Sequence, residues 1–100
     1  MNGPTWHPLA RRELLEGSDY YEGESLGLGA IFLDRVEEAV AYLQRFPRAA
    51  PVVLGEVRRL LISKFPYSLI YRIEDEELFI LAVAHHRRRP LYWARRMEDG

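Results

Sequence analysis

The hydrophobic pattern of this chain changes its period once, near Gly55, and this change restricts the fold more than any other feature of the sequence. Before it, apolar residues from Leu28 to Leu43 recur at helical spacing, with charged residues on the opposite face. After it, Val57–Phe65 alternates with a period of two until Pro66 ends the run. Helices that precede strands, rather than alternating with them, indicate an α+β fold.

The N-terminal half is predicted to form a helical hairpin. Its first helix should begin near Pro8, since proline suits a first helical turn, and Thr5–His7 is a candidate for a short preceding strand. A glycine-rich break over residues 23–29 separates the two helices. The second helix should stop before Pro47, and Arg48–Gly55 is predicted to be a loop.

The C-terminal half is predicted to supply the sheet. Tyr67–Ile73 alternates, an acidic turn follows at Glu74–Glu77, and Leu78–His85 is almost continuously apolar, as expected for a central strand covered on both faces. Leu91–Glu98 should form a short C-terminal helix. The prediction is therefore an N-terminal helical hairpin packed on an antiparallel sheet of three to four strands.

Length and composition limit the classes of protein. The 100 residues are expected to form a single domain, residues 1–100, and 48% hydrophobic with 29% charged residues is typical of a globular chain. The sequence has no cysteine, so disulfides and thiolate chemistry are excluded. It contains no stretch of membrane-spanning length and no secretory signal pattern, so we expect a cytoplasmic protein.

The net charge of −1 conceals an uneven distribution. Residues 1–50 carry five basic and eight acidic groups, a balance of −3, whereas residues 51–100 carry nine basic and seven acidic groups, a balance of +2. Four of those seven acids lie in the turn Glu74–Glu77. This argues against a protein that coats nucleic acid without specificity, but it allows a local basic site.

The run HHRRRP at residues 85–90 follows the predicted central strand directly. Guanidinium groups suit phosphate oxygens, and in an extended segment Arg87 and Arg89 share a face while Arg88 points the opposite way. A solvated charged loop is the alternative. His85 and His86 should also face opposite sides, which makes them poor joint ligands, and we predict no metal or cofactor.

Groups for proton transfer lie beside this run. A histidine near arginines can act as a general acid or base near neutral pH, and His86 is one candidate; a hydrogen-bonded histidine at a strand end is the alternative. Tyr92 can stack on a base or, with an ordinary pKa of about 10, donate a proton. Closing the edge of the core is the alternative for Tyr92 and the favoured interpretation for Trp93.

Three cations lie within otherwise apolar strand patterns, at Arg58, Lys64 and Arg72. With a simple register they share the sheet face opposite Tyr67 and Tyr71. Such a face can bind a phosphate backbone; side chains that extend to solvent or pair with the acidic turn are the alternative.

Three segments of the sequence form a recognisable set: ARRELLEGSDYYEGESLGLGAIFLDRVEEAV at residues 10–40, FPYSLIYRI at 65–73 and ILAVAHHRRRPLYW at 80–93. Together they resemble the RelE/ParE family of bacterial toxins, over about residues 5–96. The resemblance implies an α+β toxin of a type II, plasmid stabilisation-like, toxin–antitoxin module, inhibited by a small cognate antitoxin. RelE-like members cut mRNA on the ribosome without a metal, and ParE-like members poison DNA gyrase.

RelE-like nucleases use basic residues on the central strands together with an arginine and a tyrosine near the C-terminus. The resemblance assigns the strand positions to Arg58 and Lys64, the arginine to Arg87 or Arg88, and the tyrosine to Tyr92.

The remaining candidates have other roles. His86 is the alternative group for proton transfer, and Arg72 and Arg89 are predicted to contact the target. Ser68 stands where RelE has an arginine in its third-strand segment, whereas HHRRRP looks more like the ParE-like branch. The expected function is growth inhibition through translation, as an endoribonuclease, or through gyrase. The alternative is a non-toxic module that only binds an antitoxin-like partner.

Overall fold

The two predicted helices and the sheet are present in the computed structural model, which describes residues 3–99. The five strands form one sheet in the order β1-β5-β4-β3-β2, and the helices pack on one of its faces. The elements are β1 (Thr5–Trp6), α1 (Pro8–Glu24), α2 (Leu28–Arg45), β2 (Val52–Leu54), β3 (Val57–Leu61), β4 (Tyr67–Glu74), β5 (Glu77–His85) and a 3-10 helix (Ala94–Glu98).

Two devices hold the helical hairpin together. The Glu22 carboxylate accepts hydrogen bonds from the backbone N–H groups of Gly27 at 2.9 Å and Gly29 at 3.0 Å, so the end of α1 satisfies free donors at the start of α2. Gly29 also permits a close approach, because a Cβ atom there would lie 2.5 Å from the backbone oxygen of Ser18.

Within residues 3–99, neither helix is both long and apolar enough to cross a membrane.

The predicted fold class is confirmed, with a correction to the number and direction of the strands. The sheet has five strands rather than three to four, and it is mixed because β1 runs parallel to β5. The segment Arg48–Gly55, predicted to be a loop, contains β2. The candidate strand at Thr5–His7 is confirmed as β1, whereas β2 was not predicted. Both are edge strands of two or three residues, and pairing with a longer neighbour defines them.

The core has two layers, one on each face of β4 and β5. The helix-side layer joins Phe32, Val36 and Leu43 of α2 to Leu69 and Tyr71 of β4. Because apolar residues on both faces are buried, β5 shows the continuous apolar run that indicates a central strand.

A bulge in β5 adjusts the second layer. Tyr71 pairs with Ile80 and Ile70 pairs with Ala82, which leaves Leu81 as the additional residue. Leu81 and Ala82 therefore both pack in the second layer, beneath the buried ring of Trp93. The segment that follows β5 seals this face.

The C-terminal segment forms a 3-10 helix over Ala94–Glu98, shorter than the predicted helix over Leu91–Glu98. Leu91 has a φ of 60°, which interrupts a regular helix at that point. Contacts with Arg72 and His7 are among those that join this segment to distant parts of the chain. The Arg72 guanidinium donates to the Met97 and Asp99 carbonyl oxygens, and the Asp99 carboxylate is 2.7 Å from Nε2 of the buried His7 ring.

Candidate functional site

The two histidines at the end of β5 lie on opposite sides of the sheet. His85 packs edge-on against Tyr67, with 4.9 Å between ring centroids, on the side of the helical hairpin. The Nε2 atom of His86 is 2.9 Å from the Ser68 hydroxyl oxygen, on the side of Ala84 and the second core layer. The two rings therefore point to opposite faces of the sheet, although both residues line each of the two depressions at this end of β5.

The depression beside His86 is strongly basic. It has a volume of about 190 Å³ and is lined by Arg59, Ser68, His86, Arg88 and Arg89, which we call the cationic pocket. Among the described residues that line it, none is acidic. Nη1 of Arg88 also lies 3.9 Å from Oε2 of Glu13, outside the cavity. The guanidinium groups of Arg59 and Arg89, with that of Arg88, a hydroxyl and an imidazole, can bind one phosphate or carboxylate group.

Tyr92 lies at the edge of the cationic pocket, but its hydroxyl points away from it. The hydroxyl donates a hydrogen bond of 2.7 Å to Oε2 of Glu13, and the Arg88 guanidinium stacks on the ring at 3.8 Å from the centroid. Burial raises the pKa of Tyr92, and the hydrogen bond to Glu13 raises that pKa further. The phenol therefore remains protonated, with its proton held by a carboxylate of the same chain.

Glu13 and Arg96 complete the exposed edge of β5 beyond the point where the short β1 ends. Oε1 of Glu13 accepts from the Val83 N–H at 3.1 Å, while Arg96 donates to the Leu81 carbonyl at 3.0 Å. The two side chains also form a two-pronged ion pair, with N–O distances of 2.9 Å. Together the two side chains provide the hydrogen-bond acceptor and the donor that a neighbouring strand would otherwise provide at this sheet edge.

Arg58, Lys64 and Arg72 do not share a face, which corrects the prediction made from a simple register. Arg58 pairs with Tyr71 across the sheet, so it lies on the helix side, whereas Arg72 pairs with Phe79 on the opposite side. Lys64 lies in the turn after β3 with a φ of 70°, because the strand ends at Leu61.

The side chains of Arg58 and Arg72 are occupied by bonds within the chain. Arg58 donates to the carbonyl oxygens of Arg48 at 3.1 Å and Ala50 at 2.7 Å. Arg72 pairs with Glu74, besides holding the C-terminal segment. The structure therefore gives both cations a role in fixing loops.

Of the predicted site residues, the structure brings together His86, Arg88 and Arg89, with Tyr92 at their edge. The pocket also includes Arg59 and Ser68, which the sequence reasoning did not select. Arg59 has a weak signal, since it lies in an alternating strand on the face opposite Arg58.

Glu13 carries no local signal for its role. It is one of several acids on a helix, and its partner Arg96 lies 83 residues away. Only the fold brings the two together.

A second and larger depression lies on the other side of the β5 end, against the tip of the helical hairpin. Its volume is about 620 Å³, and we call it the hairpin-tip cleft. Tyr20, Tyr67, His85, Arg87 and Glu24 line it. Arg87, a predicted site residue, thus faces this cleft rather than the cationic pocket.

The His85 ring in this cleft has a defined hydrogen-bonding state. Its Nδ1 atom accepts from the Arg87 N–H at 3.0 Å, so in the neutral ring the proton is on Nε2. Burial lowers the pKa of His85, and the positive charge of Arg87 lowers that pKa further. The ring is therefore neutral at pH 7.

Within residues 3–99, no three metal-ligating side chains lie close enough to hold a metal ion.

Comparison with known proteins is consistent with this fold. Among solved structures, the chromosomal ParDE TA system from P. aeruginosa is similar, with a TM-score of 0.60 and 22% sequence identity over 85% of this chain and 96% of that chain. At this identity the likeness shows the fold. No curated protein matches the sequence. A family model described as the ParE toxin of the type II toxin–antitoxin system parDE matches residues 5–90. Because this match spans most of the sequence, the chain belongs to the ParE toxin family.

Proposed function

We propose that this protein is the toxin of a type II toxin–antitoxin pair and that it arrests growth by binding DNA gyrase, not by cutting mRNA. The observation that carries the choice of target is the state of Tyr92. Its hydroxyl donates to Glu13 at 2.7 Å, and both burial and this bond raise its pKa. In a RelE-like reaction this phenol would have to transfer a proton to or from the RNA, and here its proton is held within the chain.

Two further observations support this choice. Ser68 occupies the strand position at which the nuclease pattern has an arginine, and it contacts His86 at 2.9 Å. Loss of a fixed cation there would weaken stabilisation of the charge that develops on the scissile phosphate. The family match is also to the ParE branch, whose members the resemblance connects with gyrase.

A second candidate, ribosome-dependent mRNA cleavage, is favoured by one feature. His86 lies in the same pocket as Arg88 and Arg89, so a proton-transfer group and cations surround one cavity. That pocket is suited to an anionic group of the target in either case. The partner of the protein is proposed to be a small antitoxin, and either target places the protein in the cytoplasm.

The test begins with tightly controlled expression in cells without the antitoxin, where we expect growth arrest. Purified protein is then added to DNA gyrase with relaxed plasmid and, separately, to translating ribosomes with a defined message. We expect inhibition of supercoiling and an intact message. Cleavage of the message with normal supercoiling would contradict the proposal, and normal growth with inactivity in both assays would favour the non-toxic binding module.

Tyr92→Phe sharpens the test because it removes only the hydroxyl and retains the ring beneath Arg88. We expect this variant to arrest growth as the wild type does, provided that its fold is verified by circular dichroism. A nuclease that depends on the phenol would lose its activity with this change.

A further inference from the structure

The hairpin-tip cleft differs from the cationic pocket in that its walls are aromatic. Tyr20 is 59% exposed and rests edge-on against Tyr21, with 5.1 Å between ring centroids. Tyr67 also lines the cleft and packs against the core, with 4.9 Å between its ring centroid and that of Phe32. Tyrosine side chains provide apolar contact area at a small cost in side-chain entropy.

The strand end of the cleft offers hydrogen-bond donors. The Nδ1 atom of His85 is occupied by the Arg87 N–H, so the Nε2–H of the neutral ring is a donor. The Arg87 side chain is exposed and has no acidic partner within residues 3–99. A donor of this kind beside a guanidinium suits a carboxylate.

The helix end of the cleft has the opposite sign. Glu24 is the last residue of α1 and lines the cleft. The free carbonyl groups at the end of a helix add partial negative charge at the same place. The cleft is therefore bipolar, positive at the end of β5 and negative at the end of α1.

This bipolar character separates two classes of ligand. A nucleic acid is negative along its whole length, so one end of the cleft would repel it, and the adjacent cationic pocket suits it better. A peptide can present an acidic and a basic side chain on either side of an aromatic one. The volume of about 620 Å³ lies in the range of ordinary ligand sites and accommodates a few side chains.

We propose that the hairpin-tip cleft binds a peptide segment of the antitoxin, with an aromatic side chain between Tyr20 and Tyr67, an acidic one at Arg87 and His85, and a basic one at Glu24. This inference rests on the proposed function, since it gives the toxin a partner. It assigns to that partner a site that adjoins the cationic pocket, shares His85 and His86 with it and differs in its other lining residues.

The first test selects random heptapeptides displayed on phage against the intact wild-type chain. We expect enriched sequences in which an aromatic residue lies between an acidic and a basic one. Tyr20→Ala should weaken binding of the selected peptides by about tenfold or more. Phe46→Ala, which removes another half-exposed aromatic ring, should leave binding unchanged. The lack of a consensus, or equal binding by both variants, would overturn the inference.

Glu24→Lys provides a readout that general loss of structure cannot produce. Selection against this variant should replace the basic position of the consensus by an acidic one. Glu37→Lys, the same charge reversal on the exposed face of α2, should select the original consensus. An unchanged consensus with Glu24→Lys would overturn the inference, as would a single-stranded RNA oligonucleotide that binds the wild type and fails to bind Tyr20→Ala.

Expression in cells separates this inference from the proposed function. Tyr20→Ala and Glu24→Lys should still arrest growth, but the co-expressed antitoxin should protect the cells less well than it does from the wild type. Full protection would overturn the inference alone. A wild-type chain that selects these peptides but never arrests growth would overturn the proposed function alone.

Discussion

At the scale of single residues, the state of His85 can be measured directly. Burial and the Arg87 charge lower its pKa below the ordinary 6.5, so an NMR titration should show the proton on Nε2 and a midpoint below 6.5. Arg87→Ala should raise the pKa while leaving it below 6.5, because burial is the larger cause. Arg89→Ala is the matched control and should change the pKa less. A wild-type midpoint at or above 6.5 would contradict the assignment.

The same shift gives a sign for the dependence of stability on pH. In the unfolded chain the His85 imidazole takes up a proton near pH 6.5, whereas the folded chain takes it up only at lower pH. The contribution of this residue to the free energy of unfolding is therefore complete above pH 6.5, and it is lost as the pH falls toward the folded-state pKa.

Removal of Glu13 should cost much stability. Both Glu13 and Arg96 side chains are only 11% exposed, so Glu13→Ala leaves an unpaired cation in the interior. We expect a loss of about 3–5 kcal/mol in the free energy of unfolding, measured by urea denaturation, whereas Tyr92→Phe should cost about 2 kcal/mol. Glu16 is an exposed acid one turn later in α1, and Glu16→Ala should change the free energy of unfolding little. A similar loss for both glutamates would refute the role given to this pair.

At the scale of elements, the helical hairpin depends on one close approach. A Cβ atom at residue 29 would lie 2.5 Å from the Ser18 backbone oxygen, and backbone cannot move aside as a side chain can. Gly29→Ala should therefore lower the midpoint of urea denaturation, with a cost of about 1–3 kcal/mol. Gly23→Ala is the control, since nothing lies within 4 Å of its Cβ position and alanine favours a helix. Equal effects at the two sites would refute this explanation.

How well each element could be predicted depends on its length. α2 and β4 are long enough to show a period, and β5 is long enough to show a continuous apolar run, so all three were predicted. β2 is too short for either signal, and β1 was predicted only as a candidate strand. The bulge at Leu81 also could not be predicted, because β5 is apolar on both faces and provides no alternation to interrupt.

Only some of the residues that line the cationic pocket could be selected from the sequence, for a different reason. The HHRRRP run placed the cationic pocket at the end of β5. The partners that set the properties of its residues come from distant segments, as Glu13 does for Tyr92 over 79 residues. The predicted shared face of Arg58 and Arg72 was wrong because it assumed a simple register. The observed strand pairing places the two side chains on opposite faces of the sheet.

At the scale of the whole molecule, charge is divided between two depressions, and growth arrest should depend on the basic one. Simultaneous replacement of Arg59 and Arg89 by Glu leaves the core intact, because both side chains are exposed, but reverses the sign of the cationic pocket. We expect this variant to lose growth arrest and gyrase inhibition. Arg95→Glu, an exposed arginine outside the pocket, should remain toxic. Continued arrest by the double variant would remove the cationic pocket from the proposed function.

His7 contacts Asp99, and the Arg72 guanidinium donates a hydrogen bond to the Met97 carbonyl oxygen. These contacts between distant parts of the chain have a consequence for biosynthesis. A ribosome makes the chain from its N-terminal end, so the residues that close the second face of the sheet emerge after the strands that they cover. Until then the apolar residues of that face are exposed to solvent. A chain interrupted before Trp93 would keep this surface uncovered, and quality control recognises surfaces of that kind.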